Sequence, residues 1–432
     1  MTQFNPPIRN ALRENPRNLR FILISLFLVP HFNLTASSCR ADSGDWPQWR
    51  GSHRDGVAGD FHLPRNWLDA ELKVRWQVPL GEGYATPLVT RDRVFTFGRE
   101  LGSEVVQAHE LATGRVRWRV AYPARYEAKE MAGVHAAGPR ATPVLHGGRL
   151  FTFGINEILN CLDASTGQVL WRCDTPRRYA TEPPGYGASS SPMIVGRLLI
   201  VPAAERVIAM DWKSGSTVWR ATADAFYSSL IATDSAGRNQ IVGFARYRLV
   251  GLRPLDGRVL WSRKYASTWG SNVVTPVVWK DRVVVSSPTQ GTRSFRLFER
   301  DGRLAIEPVW QTKAMRAYLT SPVVHADHVF GLDESGQLLC LDLATGRTAW
   351  ATGNFGEYGT LVLVGDQLLI LSGDGELTSI EATPAGYREL GRRDVARTPT
   401  WTHLVVAHGC MFVRDKKELR CFELPGSPGE SK

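Results

Sequence analysis

A ten-residue segment that recurs along the chain constrains its fold more than any other feature. At residues 162–171 it reads LDASTGQVLW, and similar segments occupy residues 109–118, 210–219, 252–261 and 341–350. Every copy has a glycine four positions before a tryptophan and a β-branched residue two positions before it. Glycine supplies the positive φ that closes a tight turn, and alternation follows the turn. The segment predicts a β-hairpin with the β-branched residue and the tryptophan on one face of its second strand.

Tryptophans that end such strands recur at intervals of 40 to 53 residues, which indicates a repeat architecture. They are Trp76, Trp118, Trp171, Trp219, Trp261, Trp310 and Trp350. Most intervals also contain a Ser or Thr followed by Pro at the start of an apolar strand, as at Thr142-Pro143. Four short antiparallel strands fit in each interval, which is typical of a propeller blade. We expect each indole to wedge one sheet against the next.

Eight first strands can be counted, and the eighth blade runs out of sequence after its third strand near Glu423. Residues 72–76 (LKVRW) match a fourth strand that has no first three of its own. Joining the two chain ends in one sheet would leave no open edge. The chain is therefore predicted to be all-β, an eight-bladed β-propeller of four-stranded antiparallel blades over residues 72–424, closed by an N-terminal strand in the last blade.

The amino terminus precedes the repeats and has the pattern of an export signal. Arginines precede an apolar run at residues 21–29, and small polar residues follow it. This pattern predicts a signal peptide over residues 1–41, a lead-in segment over 42–71 and a disordered tail over 425–432. An alternative is that Cys39 carries a lipid. Either reading predicts an exported protein of the periplasm or cell envelope.

Charge and motifs exclude several function classes. The net charge is +10, of which the signal region contributes +4. The remainder is spread along the chain, without a block of basic and aromatic residues that would indicate nucleic-acid binding. No CxxC or HExxH motif occurs, so neither a metal site nor a hydrolase has a motif of the required spacing.

The tandem LDxxTGxxxW segments with Ser/Thr-Pro strands resemble the pyrroloquinoline-quinone-type (PQQ-like) propeller repeat. That family contains quinoprotein alcohol dehydrogenases and a lipoprotein scaffold of the outer-membrane β-barrel assembly machine. The resemblance implies the fold for residues 72–424 but not one activity. Many quinoproteins have a disulfide between adjacent cysteines, and no two of the six cysteines here are adjacent. The chain therefore resembles the scaffold more than the dehydrogenases.

The cysteines themselves are predicted to be structural. Cys161, Cys340 and Cys421 share one repeat position, which makes them buried third-strand residues. Cys410 and Cys421 would face each other if Asp415-Lys416 formed a two-residue turn, and a cross-strand disulfide is the alternative to two core thiols.

Two sets of residues are candidates for binding. Residues just before the inner strands should ring the channel mouth, where aromatic side chains would either stack on a ligand or pack on one another. This set is Tyr84, Arg140, Tyr186, Tyr227, Trp269, Asn272, Tyr318, Tyr358 and Trp401. Two long connections between blades carry the second set, predicted to bind a partner: Tyr122, Arg125, Tyr126, His135, Arg177, Arg178 and Tyr179.

The favoured function is an exported, non-catalytic and monomeric scaffold that binds a protein or peptide through the long loops and the channel mouth, without a cofactor. One alternative is a dehydrogenase that uses PQQ and calcium, with Arg140 and Trp269 at the cofactor. The other is a carbohydrate-binding propeller, favoured if the aromatic ring is open to solvent.

Overall fold

The computed structural model describes residues 44–425 apart from 60, 127–136, 223, 225, 236, 266, 268–271, 357 and 398. The predicted signal peptide with Cys39, as well as His135 and Trp269, lies outside the described residues. The described residues belong to one compact unit. None of their helices has the length and apolar character needed to cross a membrane.

The described chain forms eight four-stranded antiparallel sheets, which confirms the predicted eight-bladed propeller. Blade 1 contains β2 (Leu88–Val89), β3 (Arg93–Glu100), β4 (Ser103–Glu110) and β5 (Val116–Pro123). Blade 2 contains β6 (Val144–His146), β7 (Arg149–Phe153), β8 (Ile158–Asp163) and β9 (Val169–Asp174), and α1 (Thr175–Tyr179) follows it. Blade 3 contains β10 (Met193–Val195), β11 (Leu198–Ala203), β12 (Arg206–Asp211) and β13 (Thr217–Thr222). Blade 4 contains β14 (Ile231–Ser235), β15 (Arg238–Phe244), β16 (Arg248–Leu252) and β17 (Val259–Lys264).

The second half of the ring repeats this plan. Blade 5 contains β18 (Val277–Trp279), β19 (Arg282–Ser287), β20 (Gly291–Arg300) and β21 (Arg303–Thr312). Blade 6 contains β22 (Val323–His325), β23 (His328–Leu332), β24 (Leu338–Asp342) and β25 (Thr348–Thr352). Blade 7 contains β26 (Thr360–Val364), β27 (Gln367–Leu371), β28 (Glu376–Glu381) and β29 (Glu389–Asp394). Blade 8 contains β30 (Val405–Ala407), β31 (Cys410–Arg414), β32 (Glu418–Glu423) and β1 (Val74–Pro79).

The ring closes through the eighth blade, as the sequence predicts. β1 is the outer strand of that sheet and pairs antiparallel with β32. Trp76 lies opposite Cys421, and Val78 lies opposite Leu419. Both ends of the folded chain are therefore held in one sheet, so that neither end leaves a blade incomplete.

A β-bulge in the outer strand of every blade overturns one sequence prediction. In blade 2 Trp171 pairs with Cys161, whereas Val169 pairs with the adjacent Leu162. Neighbouring residues of a strand point to opposite faces, and paired residues share a face. The extra residue, Leu170, thus places the tryptophan and the β-branched residue on opposite faces. Trp171 packs in the core beside Cys161, and Val169 packs in the core beside Leu162.

The tryptophans of the repeat join neighbouring blades. The ring of Trp118 lies against Gly167 of the next blade, where a Cβ atom would come within 2.6 Å of the indole. Its Nε1 donates to the carbonyl of Ala164, 3.1 Å away in the same turn. Five glycines of these turns receive an indole in this way. Trp261 differs, because its Nε1 donates to Gln240 of its own blade.

Hydroxyl groups at the start of the inner strands form a second link between blades. The backbone N–H of Thr86 donates to Thr142, that of Thr142 to Ser191, and that of Ser191 to Ser229, over 2.9 to 3.1 Å. The N–H of Thr275 donates to Ser321 in the same manner. The recurrent Ser or Thr is therefore explained by hydrogen bonds that join neighbouring inner strands at four junctions between blades.

Cys161, Cys340 and Cys421 are buried as predicted, and the turn that would have placed Cys410 opposite Cys421 is not formed. The turn after β31 is closed by Asp415 and Glu418, with Lys416 and Lys417 between them. Phe412 consequently pairs with Cys421, and Cys410 pairs with Glu423. Cys410 and Cys421 are diagonal neighbours on one face, and both are free thiols. The hydrogen bond with Cys410, together with burial, raises the pKa of Cys421.

Candidate functional site

The end of the channel where the inner strands begin has an arc of aromatic side chains. Tyr358 stacks on Trp401 with ring centroids 4.4 Å apart, and Tyr84 stacks on the same indole at 5.5 Å. The guanidinium of Arg140 lies over Tyr84 at 5.4 Å. The four side chains are half-buried and come from the connections before blades 7, 8, 1 and 2. Here the aromatic residues pack on one another.

Cations and a second aromatic pair surround this arc. Lys416 Nζ lies 5.5 Å from the ring of Trp401. Tyr186 and Tyr227, before blades 3 and 4, meet edge to face at 5.9 Å. Burial raises the pKa of Tyr227, while Arg246 nearby acts in the opposite direction. We call the set Tyr84, Arg140, Tyr186, Tyr227, Tyr358 and Trp401 the aromatic mouth.

Other predicted members of the mouth differ in their surroundings. Asn272 is buried, and its amide donates to the carbonyls of Ala245 and Tyr265. The prediction that Asn272 faces the channel mouth is therefore wrong, since its side chain holds the blade 4 connection together. Tyr318 is half-buried before blade 6.

The long connections include two residues that cannot serve as exposed anchors. Tyr122 is buried within β5, so the prediction that it lies in a loop is wrong. Tyr179 ends α1 and is also buried, with its hydroxyl hydrogen-bonded to Thr217 at 2.8 Å. At both positions the aromatic ring is buried against neighbouring strands, although the surrounding sequence is polar and suggested an exposed loop.

The remaining members of that set lie on the surface. Arg125, Arg177 and Arg178 are exposed, and Tyr126 is half-buried. The hydroxyl of Tyr126 donates to the carbonyl of Gly185 at 3.2 Å, which joins the two long connections. Because Gly185 precedes Tyr186, the loops and the aromatic mouth form one surface.

The opposite end of the channel is filled by residues 44–58, which we call the plug. Trp46 exchanges backbone hydrogen bonds with Val89 of blade 1, and the N–H of Leu145 in blade 2 donates to Pro47. His408 Nε2 lies 2.7 Å from Asp45 Oδ1, and Val57 bridges to Leu363 of blade 7. One segment that touches inner strands all around the ring must lie within the channel.

Two fully buried arginines carry the plug inward. Arg50 Nη2 donates to the carbonyl of Pro322 in blade 6 at 2.6 Å, and Arg54 donates to Ser191 and Pro192 of blade 3 at 3.1 and 3.0 Å. Trp49 Nε1 donates to Thr275 Oγ1 of blade 5 at 2.9 Å. The arginines thus reach opposite sides of the ring.

Sequence reasoning treated residues 42–71 only as a lead-in. The signal was present, because the tract DWPQWRGSHRDG holds two tryptophans outside any assigned strand. A large apolar side chain usually finds a buried position. The partners of these residues come from distant blades, which is why the sequence could not supply them.

Buried carboxylates link blades 1, 2 and 3 near the mouth. Glu104 accepts the N–H of Ile155 at 2.6 Å, and Glu157 accepts the N–H of Ala204 at 2.7 Å. Burial raises the pKa of Glu104. It also raises the pKa of Glu157 to about 7, against the lowering effect of the Ala204 hydrogen bond.

The raised pKa of Glu157 predicts a pH-dependent loss of stability. The folded state holds the proton more tightly than the unfolded state, so this stabilisation is complete below the ordinary glutamate pKa and disappears as pH rises through about 7. Glu157→Gln stays neutral and keeps an oxygen for Ala204. At pH 8 we expect the variant to be more stable than the wild type by about 1–3 kcal/mol. At pH 5 the two should be similar, as measured by thermal unfolding.

Exposed Glu205, in the adjacent turn, supplies the control. Glu205→Gln should follow the wild type at both pH values. A Glu157→Gln profile parallel to that of the wild type would contradict the assignment of the buried carboxyl.

Comparison with known proteins places the chain in a family. The family model described as outer membrane protein assembly factor BamB matches residues 102–352, more than half of the chain. The chain belongs to this family. This confirms the kinship with PQQ-type repeat propellers that the motifs predict. A BamB from Nitrosomonas eutropha is 24% identical over 229 residues, 51% of this chain and 53% of that protein. The alignments span about half the length of the first curated relatives.

Solved structures show the same fold. BamB from Moraxella catarrhalis has a TM-score of 0.59 at 17% identity and covers 82% of this chain and 100% of its own. The quinohemoprotein alcohol dehydrogenase of Comamonas testosteroni has a TM-score of 0.65 at 12% identity, covering 89% of this chain and 81% of its own. BamB and an enzyme share this architecture, so the fold alone does not distinguish a BamB from a dehydrogenase. The distinction depends on the side chains of the site.

The alternative with pyrroloquinoline quinone and calcium would need oxygen ligands for the metal ion. Calcium takes about six to eight oxygen ligands, with carboxylates prominent among them. Within the described ranges no group of three or more His, Cys, Asp or Glu side chains could hold a metal ion. The Asn272 NH2 group donates to backbone carbonyls, whereas its Oδ1 has no partner among the described residues.

Proposed function

We propose that this protein is a non-catalytic scaffold of the cell envelope that binds a protein or peptide at the aromatic mouth and takes part in outer-membrane protein assembly. The observation that carries the proposal is the half-buried stack of Tyr358, Trp401 and Tyr84 with cations at its rim. The family supports the assembly role, since its relatives are named as assembly factors.

The chemistry of the mouth suits a peptide segment with aromatic or acidic side chains. Tyrosine, tryptophan and arginine are the residues that dominate the binding energy of interfaces. Arg140 and Lys416 add positive charge beside the rings. The carbohydrate alternative was favoured by an aromatic ring open to solvent, whereas Tyr84, Tyr358 and Trp401 are half-buried and stack on one another, so a carbohydrate-binding function is not favoured.

The test uses the exported chain and synthetic peptides with the sequences of outer-membrane barrel strands. Trp401→Ala should weaken peptide binding by about 10- to 30-fold, because central aromatic contacts are typically worth about 1.5–2 kcal/mol. Fluorescence anisotropy of labelled peptides measures the affinity. The matched control is Trp212→Ala, which removes a half-buried indole from the turn after β12, on the plug side of the ring.

Equal losses of peptide affinity in the two variants, or no peptide binding by the wild type, would refute a peptide site at the mouth.

We also propose that the protein acts without a cofactor. Titration with pyrroloquinoline quinone and calcium, followed by tryptophan fluorescence and dye-linked alcohol oxidation, should show no turnover. Saturable binding with turnover would overturn the scaffold proposal.

A further inference from the structure

The plug leaves a group of buried hydrogen-bond donors in the channel without acceptors. Arg50 Nε and Nη1, Arg54 Nε and His403 Nδ1 find no partner among the described residues. The hydroxyl of Ser190 also finds no partner among the described residues. Ser190 precedes Ser191, whose carbonyl accepts a hydrogen bond from Arg54. Arginine has no acceptor atom at all, so the three unpaired arginine N–H groups need an acceptor that the described residues do not supply.

The three ionisable side chains lie close enough to affect one another. Burial lowers the pKa of Arg54 to about 9, and the charge of Arg50 lowers it as well. Burial lowers the pKa of His403 to about 3, with a further contribution from Arg50. Trp49 touches the His403 ring edge to face at 4.5 Å, which connects the plug with blade 8.

The charges in this region do not balance. At neutral pH His403 is uncharged, while Arg50, whose pKa burial lowers to about 10, and Arg54 both stay protonated. The negative charge of Asp55 acts on Arg50 and can balance one of the two guanidinium charges. One positive charge is then left uncompensated. An unpaired charge that is fully buried is strongly unfavourable in a folded protein.

We propose that the channel binds one small inorganic monoanion, of the size and charge of chloride, between the Arg50 and Arg54 guanidinium groups. The anion supplies the missing acceptor to Arg50 Nε and Nη1 and to Arg54 Nε, and its charge neutralises the pair. The site lies inside the plug. It holds residues 44–58 in the channel by joining groups that are anchored to blade 3 and blade 6.

Thermal unfolding in sodium chloride, compared with sodium gluconate at equal ionic strength, tests the site. Gluconate is too large for a buried cradle of this kind. Chloride should raise the Tm of the wild type saturably, by about 3 °C more than gluconate does. Arg54→Gln and Arg50→Gln should each lose this chloride-specific rise.

The matched control is Arg414→Gln. Arg414 is also fully buried and its Nε also lacks a partner among the described residues, but its Nη1 donates to the carbonyls of Ala85 and Phe97 at blade 1. Its loss should lower the Tm in both salts and keep the chloride-specific rise. Equal responses to the two salts in the wild type, or a retained rise in the Arg50 and Arg54 variants, would refute the proposal.

Crystals of the wild type grown in bromide give a second measurement that needs no variant. Anomalous scattering should show one bromide in contact with both Arg50 and Arg54. Density for water alone at that place, or bromide found only elsewhere, would overturn the assignment even if the glutamine variants failed to fold.

Discussion

Trp76→Ala is expected to lower the free energy of unfolding by about 3–5 kcal/mol, the usual cost of emptying a buried aromatic position. Trp76 lies in the strand that closes the ring and is 8% exposed. Its indole packs on Gly114 of blade 1 and donates to the carbonyl of Leu111 at 2.8 Å. The substitution therefore opens a cavity where blade 8 meets blade 1. Denaturant unfolding followed by tryptophan fluorescence measures the loss.

Two further variants distinguish the contribution of indole packing from that of the indole hydrogen bond, and from the effect of removing any tryptophan. Trp76→Phe keeps most of the aromatic ring but removes the indole N–H, which leaves the Leu111 carbonyl without its donor. Beyond the small loss of buried apolar area, we expect this to lower the free energy of unfolding by about 1–2 kcal/mol. Trp401→Ala, at the half-buried mouth, should cost about 1 kcal/mol or less. A Trp76→Ala protein as stable as Trp401→Ala would show that ring closure does not depend on this indole.

Gly167→Ala is expected to destabilise the protein by about 2–5 kcal/mol through two separable causes. Gly167 has φ +77°, which costs a residue with a Cβ atom about 1–2 kcal/mol. The new Cβ would also lie 2.6 Å from the ring of Trp118, and overpacking of that kind costs about 1–3 kcal/mol. Both effects can be measured by thermal unfolding.

A double-mutant cycle with Trp118→Ala distinguishes these causes. Without the indole the methyl group has space, so Gly167→Ala should cost only the backbone strain in that background. The expected coupling between the two sites is about 1–3 kcal/mol. Additive losses would mean that the glycine is required for the turn alone, and that the spacing between glycine and tryptophan does not record a contact between blades.

The architecture could be predicted because the same short sequence pattern, with the same local geometry, occurs many times along the chain. A glycine turn, an alternating strand and a terminal tryptophan define a hairpin from neighbouring residues alone. The truncated last blade and the unassigned LKVRW strand then required closure of the ring. The position of Cys421 in a third strand followed from the same repeat. Its register against Phe412 did not, because a turn one residue later re-pairs the whole hairpin.

The binding residues were harder to predict than the blades. Tyr84, Tyr358 and Trp401 precede inner strands, so their common level in the ring was readable from the repeat. Whether they stack on one another depended on side-chain directions that no repeat encodes. Tyr122 and Tyr179 looked like exposed anchors in long connections. Packing against neighbouring blades buried both.

The sequence alone determined the blade number, the closing strand and the family resemblance, because each depends on local turn geometry repeated at a regular interval. Only the tertiary structure decided that residues 44–58 fill one end of the channel. The blade carbonyls that accept hydrogen bonds from Arg50 and Arg54 are 137 to 272 residues away. Such carbonyls are present on every residue, so no sequence pattern marks the ones that a closed ring brings to the channel wall.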